Sequence, residues 1–220
     1  NLLSAVCGEG PFYCPGITTI KLMDIEFPDS YLALFSGPKF GLKGVRNILG
    51  VYGRPLFIGV VKPNLGLNIH SFAELAEQAL IGGLDIAKDD EMLADSEYSP
   101  LANRANLCGE ARLNAAAKSG RNKIMLMNIS DEQDEIAANY FKVKNSNANA
   151  VMLNPFATGF SSLRSVSRMS ELPLMGHFAG MAVCSRMEYF GVSSVVYVKL
   201  MRLAGCDMIG LPGFGERMHN

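Results

Sequence analysis

The sequence predicts an α/β fold built on a parallel sheet, and three observations carry that expectation. From about residue 56 onward, short apolar runs alternate with helical patterns six times, which is the rhythm of βαβ units. The runs are near-continuous rather than strictly alternating, as expected of strands covered on both faces. Polar residues gather just after them, at the carboxyl ends of the expected strands. In open α/β sheets and in (β/α)8 barrels, that edge is where ligands bind.

Residues 1–50 stand outside this rhythm. They are rich in Gly and Pro ("CGEGPFYCPG", "FPDSY", "SGPKFG") and read as the tail of a different domain plus a connection. "PLFIGVVKP" (55–63) then reads as a buried parallel strand ended by a proline. "HSFAELAEQALIGG" (70–83) is a helix with Ser71 and Glu74 spaced as a capping box. Its apolar face is Phe72, Leu75, Ala76, Ala79 and Leu80, and Gly82-Gly83 stops it. "LDIAKDD" is the second strand and "NRANLCGEARLNAAAKSG" the helix after it. The pattern continues with "KIMLMNIS" (strand), "EQDEIAANYFKVKNS" (helix), "AVMLNPF" (strand), "SSLRSVSRMS" (helix) and "LPLMGHF" (strand). "AGMAVCSRMEYFGV" reads as loop or short helix, "SSVVYVKLMRLAG" as a helix and "CDMIGLPG" as the last strand. The methionines inside these strands read as core.

Composition narrows the class. With 49% hydrophobic and 19% charged residues among 220, the chain suits a compact, well-buried protein. A net charge of −1 without any basic block offers no footprint for nucleic acid. No apolar run is long enough to span a bilayer and no signal-peptide pattern opens the chain, so no membrane association is expected. Five scattered cysteines without a C-x-x-C spacing read as reduced thiols of a cytoplasmic protein. A Rossmann fold is disfavoured because no G-x-G-x-x-G follows the first strand. The chain begins at Asn1 and stops just after a loop, so it reads as a fragment.

Lys62, the cluster Lys88–Glu91, Asn128, Asn154 and His177 each fall at the carboxyl end of an expected strand. Strand alternation puts Lys88 and Asp90 on one face, turns Asp89 away and leaves Glu91 to begin the turn. Two carboxylates converging beside a lysine suit a hard, oxygen-seeking cation such as Mg²⁺. An ammonium is a poor metal ligand, but a neutral lysine amine can add CO₂ and become an anionic carbamate. On its own, KDDE is read more simply as a solvated turn with internal salt bridges. Asn128 and Asn154 fit turn-formers as well as substrate contacts.

"GVVKPNLGL" followed by "GGLDIAKDDE" resembles the large subunit of ribulose bisphosphate carboxylase/oxygenase (RuBisCO) and, within that superfamily, the RuBisCO-like proteins. The resemblance runs over essentially the whole chain. It implies a TIM-barrel domain over 51–220, truncated after its sixth strand, behind the end of an α+β N-terminal domain over 1–50. It also implies Lys62 as a catalytic lysine and Lys88 as a CO₂-derived carbamate. Asp90 and Glu91 then complete a Mg²⁺ site with Lys88, and Lys62, Lys88 and His177 are the expected catalytic residues, His177 assisting the proton transfer. Asn64 takes the place of a second lysine of the carboxylases, Phe178 that of a phosphate-holding arginine, and Gly210 that of a phosphate-contacting histidine. Arg217 falls close to the mobile-loop lysine, and Glu9 replaces an asparagine that reaches a neighbouring subunit's site. Asn64, Asn128, Asn154, Arg217 and Glu9 are therefore the expected substrate-binding positions. With a bisphosphate's charge-assisted contacts missing, the resemblance points away from carboxylation. It points toward Mg²⁺-dependent enolisation or isomerisation of a phosphorylated keto-sugar, in a homodimer with its active site at the subunit interface. The alternatives are a true ribulose-bisphosphate carboxylase and a non-catalytic assembly or regulatory relative.

Overall fold

The computed structural model describes residues 2–211. Two short helices, α1 (Leu2–Cys7) and α2 (Gly10–Tyr13), lead into a three-residue strand, β1 (Ile20–Leu22), and then α3 (Asp29–Leu32) and α4 (Gly41–Leu49). The alternating part follows as β2 (Ile58–Val60), α5 (Ile69–Ile81), β3 (Ile86–Lys88), α6 (Leu101–Ser119), β4 (Ile124–Asn128), α7 (Ile136–Lys144) and β5 (Ala150–Leu153). It continues with α8 (Pro155–Thr158), α9 (Phe160–Met169), β6 (Leu174–Gly176), α10 (Met181–Ser185), β7 (Phe190–Val192), α11 (Ser194–Ala204) and β8 (Met208–Ile209). Strands β2-β3-β4-β5-β6-β8 form one parallel sheet in that order, a curled half-barrel. The α/β expectation and its six barrel strands hold.

Period-two alternation sorts the strand residues into two layers. Ala87, Met125, Met127, Val151, Leu153 and Leu174 point outward into a core shared with α5, α6, α7, α9 and α11. Ile86, Ile124, Leu126, Ala150, Met152 and Met175 point to the concave side, where Val45 and Leu49 of α4 close the floor. Burying each of those two side chains contributes about 1.5–3 kcal/mol, so α4 is part of the barrel's packing. Its two glycines hide its helical pattern in the sequence.

Four local expectations are corrected. Helix α5 is capped by Asn68, whose Oδ1 accepts from the His70 and Ser71 amides, so no Ser71/Glu74 capping box forms. Its buried face is Phe72, Ala73, Ala76 and Leu80, with Leu75 exposed. The first barrel strand is not buried: Ile58 and Val60 are 44% and 36% exposed, because β2 ends the sheet and its concave side has no strand beside it among the described residues. The stretch after β6 contains a strand, β7, which pairs in parallel with β1 through Ile20↔Phe190, Lys21↔Gly191 and Leu22↔Val192. Three residues pairing across such a sequence distance leave no periodic signal.

Candidate active site

Two steps beyond the last apolar residue of each concave-facing row, the side chains turn polar. Ile58-Val60 leads to Lys62, Ile86-Lys88 to Asp90, Ile124-Leu126 to Asn128, Ala150-Met152 to Asn154 and Met175 to His177. The same alternation that fills the core thus delivers six polar positions, Lys88 among them, to one rim.

Two ion pairs organise that rim. Lys62 Nζ lies 2.6 Å from Asp90 Oδ2. Lys88 Nζ donates to the Asp89 carbonyl at 2.7 Å and to Glu91 Oε2 at 3.3 Å. His177 joins the second pair, its Nε2 also 3.3 Å from Glu91 Oε2. Its Nδ1 accepts the Ala179 amide at 3.1 Å, so the proton of the neutral ring sits on Nε2, the nitrogen nearest Glu91. Burial pushes the imidazole below its ordinary value and Lys88 adds to this, against the pull of Glu91 and Asp90. Burial works to raise the Asp90 carboxyl, but the Lys62 contact, the Met92 amide and the Lys88 charge hold it below the usual carboxylate range.

The expected substrate contacts divide. The Asn128 side chain is engaged throughout: Nδ2 donates to the Glu91 and Leu93 carbonyls, both at 3.3 Å, and Oδ1 accepts from the Ser130 amide and hydroxyl. Asn154 uses its Oδ1 to cap α8 through the Phe156 amide at 3.2 Å. Asn64 lies at the mouth, its amide 3.4 Å from Met92 Sδ. Glu9 is exposed at the start of α2 and makes no side-chain hydrogen bond or ion pair among the described residues. Arg217 lies outside the described residues.

Two participants, Ser130 and Arg104, carry no mark in the sequence reading, and a third, Asp89, turns away from the concave side as the alternation implies. Ser130 bridges the rim, accepting from the Asn154 amide at 2.9 Å and donating to Asn128 Oδ1 at 2.8 Å. Asp89, turned to the helical side, meets the buried Arg104 of α6 with Oδ2 3.1 Å from Nη2. Complete burial pushes its carboxyl up to about 6, while Arg104 and two backbone amides pull it down. A signal for Arg104 existed: it shares the 101, 105, 108 face of an apolar helix stripe, where an arginine needs a buried acid.

No group of three His, Cys, Asp or Glu side chains poised for a metal occurs among the described residues. A rim cation would need Lys88 itself as a third ligand. The donor set fits that role. Two ammoniums, Lys62 and Lys88, balance two carboxylates, Asp90 and Glu91. Converting Lys88 to a carbamate leaves three anions against one ammonium, a deficit of two charges that one divalent cation fills. His177 presents an N–H rather than a lone pair, so the set is all oxygen, as Mg²⁺ requires.

A parallel half-barrel with ionisable side chains converging at its carboxyl rim defines a barrel protein whose site is built at the strand ends. Residues 41–219 match the family model described as the ribulose bisphosphate carboxylase large chain, catalytic domain, and the chain belongs to that family. It is 52% identical over 218 residues to the ribulose bisphosphate carboxylase-like protein of Chlorobaculum tepidum, covering 99% of this chain and 50% of that protein. It is 33% identical to the 3-oxo-isoapionate-4-phosphate decarboxylase of Rhizobium etli, over 97% of this chain and 51% of that protein. Among solved structures, the dimeric archaeal RuBisCO from Hyperthermus butylicus superposes with a TM-score of 0.90 at 32% identity, over 95% of this chain and 49% of that one. The chain spans about half the length of the relatives it matches.

Proposed function

We propose that this chain carries the metal-binding half of a RuBisCO-like enzyme that enolises or isomerises a phosphorylated keto-sugar. The observation that carries the reading is the charge-balanced rim cluster of Lys62, Lys88, Asp90 and Glu91, which becomes a fitted cation site once Lys88 is carbamylated. Lys88 as carbamate, Asp90 and Glu91 would hold Mg²⁺, which when bound supplies Lewis-acid polarisation of a carbonyl and its neighbouring hydroxyl. His177, with its Nε2 3.3 Å from Glu91 Oε2, lies against that carboxylate and would help to orient it. Lys62 has a side chain 55% exposed, so it can meet a substrate and stabilise negative charge developing at the oxygen next to the reacting carbon. The relative named as a decarboxylase acts, by its name, on a phosphorylated keto compound, which supports that substrate class. The archaeal neighbour is dimeric, which supports a homodimer in which Glu9 would reach a partner's site.

Genuine carboxylation of ribulose bisphosphate is the weaker reading. Phe178 stacks on His177 with ring centroids 4.7 Å apart. A Cβ placed at Gly210 would lie 3.0 Å from Phe178 Cδ1. An apolar contact therefore fills the positions where the family resemblance expects an arginine and a histidine for phosphate.

Calorimetry of Mg²⁺ binding to the full chain, with and without bicarbonate, tests the carbamate directly. Bicarbonate should tighten binding at least about tenfold, a difference of 1.4 kcal/mol. Equal affinity in both conditions would remove Lys88 from the ligand set.

A further inference from the structure

Behind the rim, one side chain collects the whole loop that bears the proposed metal carboxylates. Arg104 sits in the first turn of α6 and is 0% exposed. Its Nη2 and Nε donate to Asp89 Oδ2 at 3.1 and 3.3 Å. Nη2 also reaches the Leu93 and Ala94 carbonyls at 3.4 and 3.3 Å. Nη1 donates to the Ser99 carbonyl and, at 3.1 Å, to Ser99 Oγ. One guanidinium therefore fixes the start, middle and end of the segment 89–99.

The connection to the carboxylates is short. Asp89 Oδ1, the oxygen that Arg104 leaves free, accepts the Asp90 amide at 2.8 Å. Asp90 Oδ1 in turn accepts the Met92 amide at 3.0 Å. From the other side, Asn128 Nδ2 holds the Glu91 and Leu93 carbonyls. The main chain of Asp90 and Glu91 is thus gripped between a buried arginine on α6 and an amide at the end of β4.

We infer that Arg104 is a positioning residue for the rim, acting with Asn128 to set where the Asp90 and Glu91 carboxylates stand. The inference rests on the metal reading above and assigns the two residues a role other than substrate contact. A lysine could keep the charge opposite Asp89, but its single ammonium lacks the planar fork that serves Asp89, Leu93, Ala94 and Ser99 together. Outer partners of metal ligands commonly control affinity by about 10–100-fold.

The test uses Arg104→Lys in the full chain, with two readouts. In metal-free protein, hydrogen exchange of the amides of residues 90–99 should quicken, while that of β4 and β5 stays unchanged. With bicarbonate present, Mg²⁺ affinity should fall about 10–100-fold. Unchanged exchange in 90–99 overturns the clamp. Quickened exchange with unchanged Mg²⁺ affinity also overturns it, because the arginine would then only stabilise the loop. If the unsubstituted protein shows no bicarbonate-dependent Mg²⁺ binding, the metal reading fails, and the positioning role fails with it. That result differs from one in which the parent binds and Arg104→Lys binds equally well. Should Arg104→Lys not fold, Arg104→Met with Asp89→Asn removes both buried charges together and carries the same two readouts.

Discussion

The two ends of the half-barrel both bury aspartates, and apart from the Arg104–Asp89 pair behind the rim they neutralise them differently. At the floor, Asp85 precedes β3 and takes Arg54 in a bidentate pair, Nη1–Oδ2 and Nη2–Oδ1 both 2.7 Å, with the Phe57 amide at 2.8 Å. Asp207 precedes β8 and accepts the amides of Phe40, Gly41 and Leu174 at 2.7–2.8 Å. Every oxygen there faces a donor whose direction is fixed by a planar guanidinium or a peptide. At the rim, the Met92 amide holds Asp90 Oδ1, but Asp90 Oδ2 and Glu91 Oε2 face lysine ammoniums, compact charges on flexible stems. Floor donors of fixed direction lock the carboxylates into the architecture. Rim donors can swing away or be chemically converted, leaving the carboxylates available to another cation.

The largest expected effect breaks the rim. Lys88→Ala or Asp90→Ala should abolish deuterium washout from a panel of phosphorylated keto-pentoses, a loss of at least about 10³-fold, since a Lewis acid contributes several kcal/mol to such a step. The circular dichroism spectrum should stay that of the parent, because Lys62 is already half in water and tolerates losing its partner. Washout at the parent rate in either variant would put the chemistry elsewhere.

The floor should respond in the opposite manner. Asp85→Ala strips Arg54 and the Phe57 amide of their acceptor and should cost about 2 kcal/mol, lowering Tm by roughly 4–8 °C for a chain of this size. Mg²⁺ affinity should not change. The pH dependence follows from the same pair. The Arg54 contact, with the Phe57 amide, holds the Asp85 carboxyl below its ordinary value despite burial. A depressed carboxyl stabilises the fold above its unfolded value of about 3.9. That contribution is lost as pH falls below 4 toward the depressed value. Between pH 5 and pH 3 the parent should therefore lose more stability than Asp85→Asn. Parallel pH curves would remove Asp85 from the account.

Much of this contrast is legible in the sequence, and what is not has identifiable causes. The strands are visible because each is a compact apolar run, and their polar ends are visible because alternation fixes which residue follows on the concave side. Lys62, Lys88, Asp90 and His177 meet at one rim as the pattern implies. Asn128 shows the limit: its position was readable, but its partners Glu91 O and Leu93 O are backbone atoms of a loop whose path no periodicity encodes. Arg104 is inconspicuous because a charge in a helix is ordinarily solvent-facing, although its register with Leu101, Ala105 and Cys108 places it inside. The β1–β7 pairing and the α4 floor depend on contacts distant in sequence, made by segments too short or too glycine-rich to announce themselves.

The smallest expected effect sharpens the boundary between the rim and the last strand. At Gly210 an added Cβ would meet Phe178 Cδ1 at 3.0 Å and Met175 Cε at 3.2 Å. Both are ends of side chains that can shift by a few tenths of an ångström, so Gly210→Ala should cost about 1 kcal/mol, the low end for overpacking. If the Phe178 ring sets that cost, trimming it should relieve the strain. In a Phe178→Ala background the same Gly210→Ala substitution should then cost less than half as much, a coupling of about 0.5 kcal/mol or more, measured by denaturant unfolding of all four proteins. Equal costs in the two backgrounds would mean that Met175 or the strand itself resists the methyl group. The apolar contact between 178 and 210 would then no longer explain why this rim lacks the two polar side chains that the carboxylase resemblance expects there. Coupling of the expected size would mean that the two positions are adapted to each other, so that restoring a polar group at one while leaving the other unchanged meets a steric penalty as well as a missing partner.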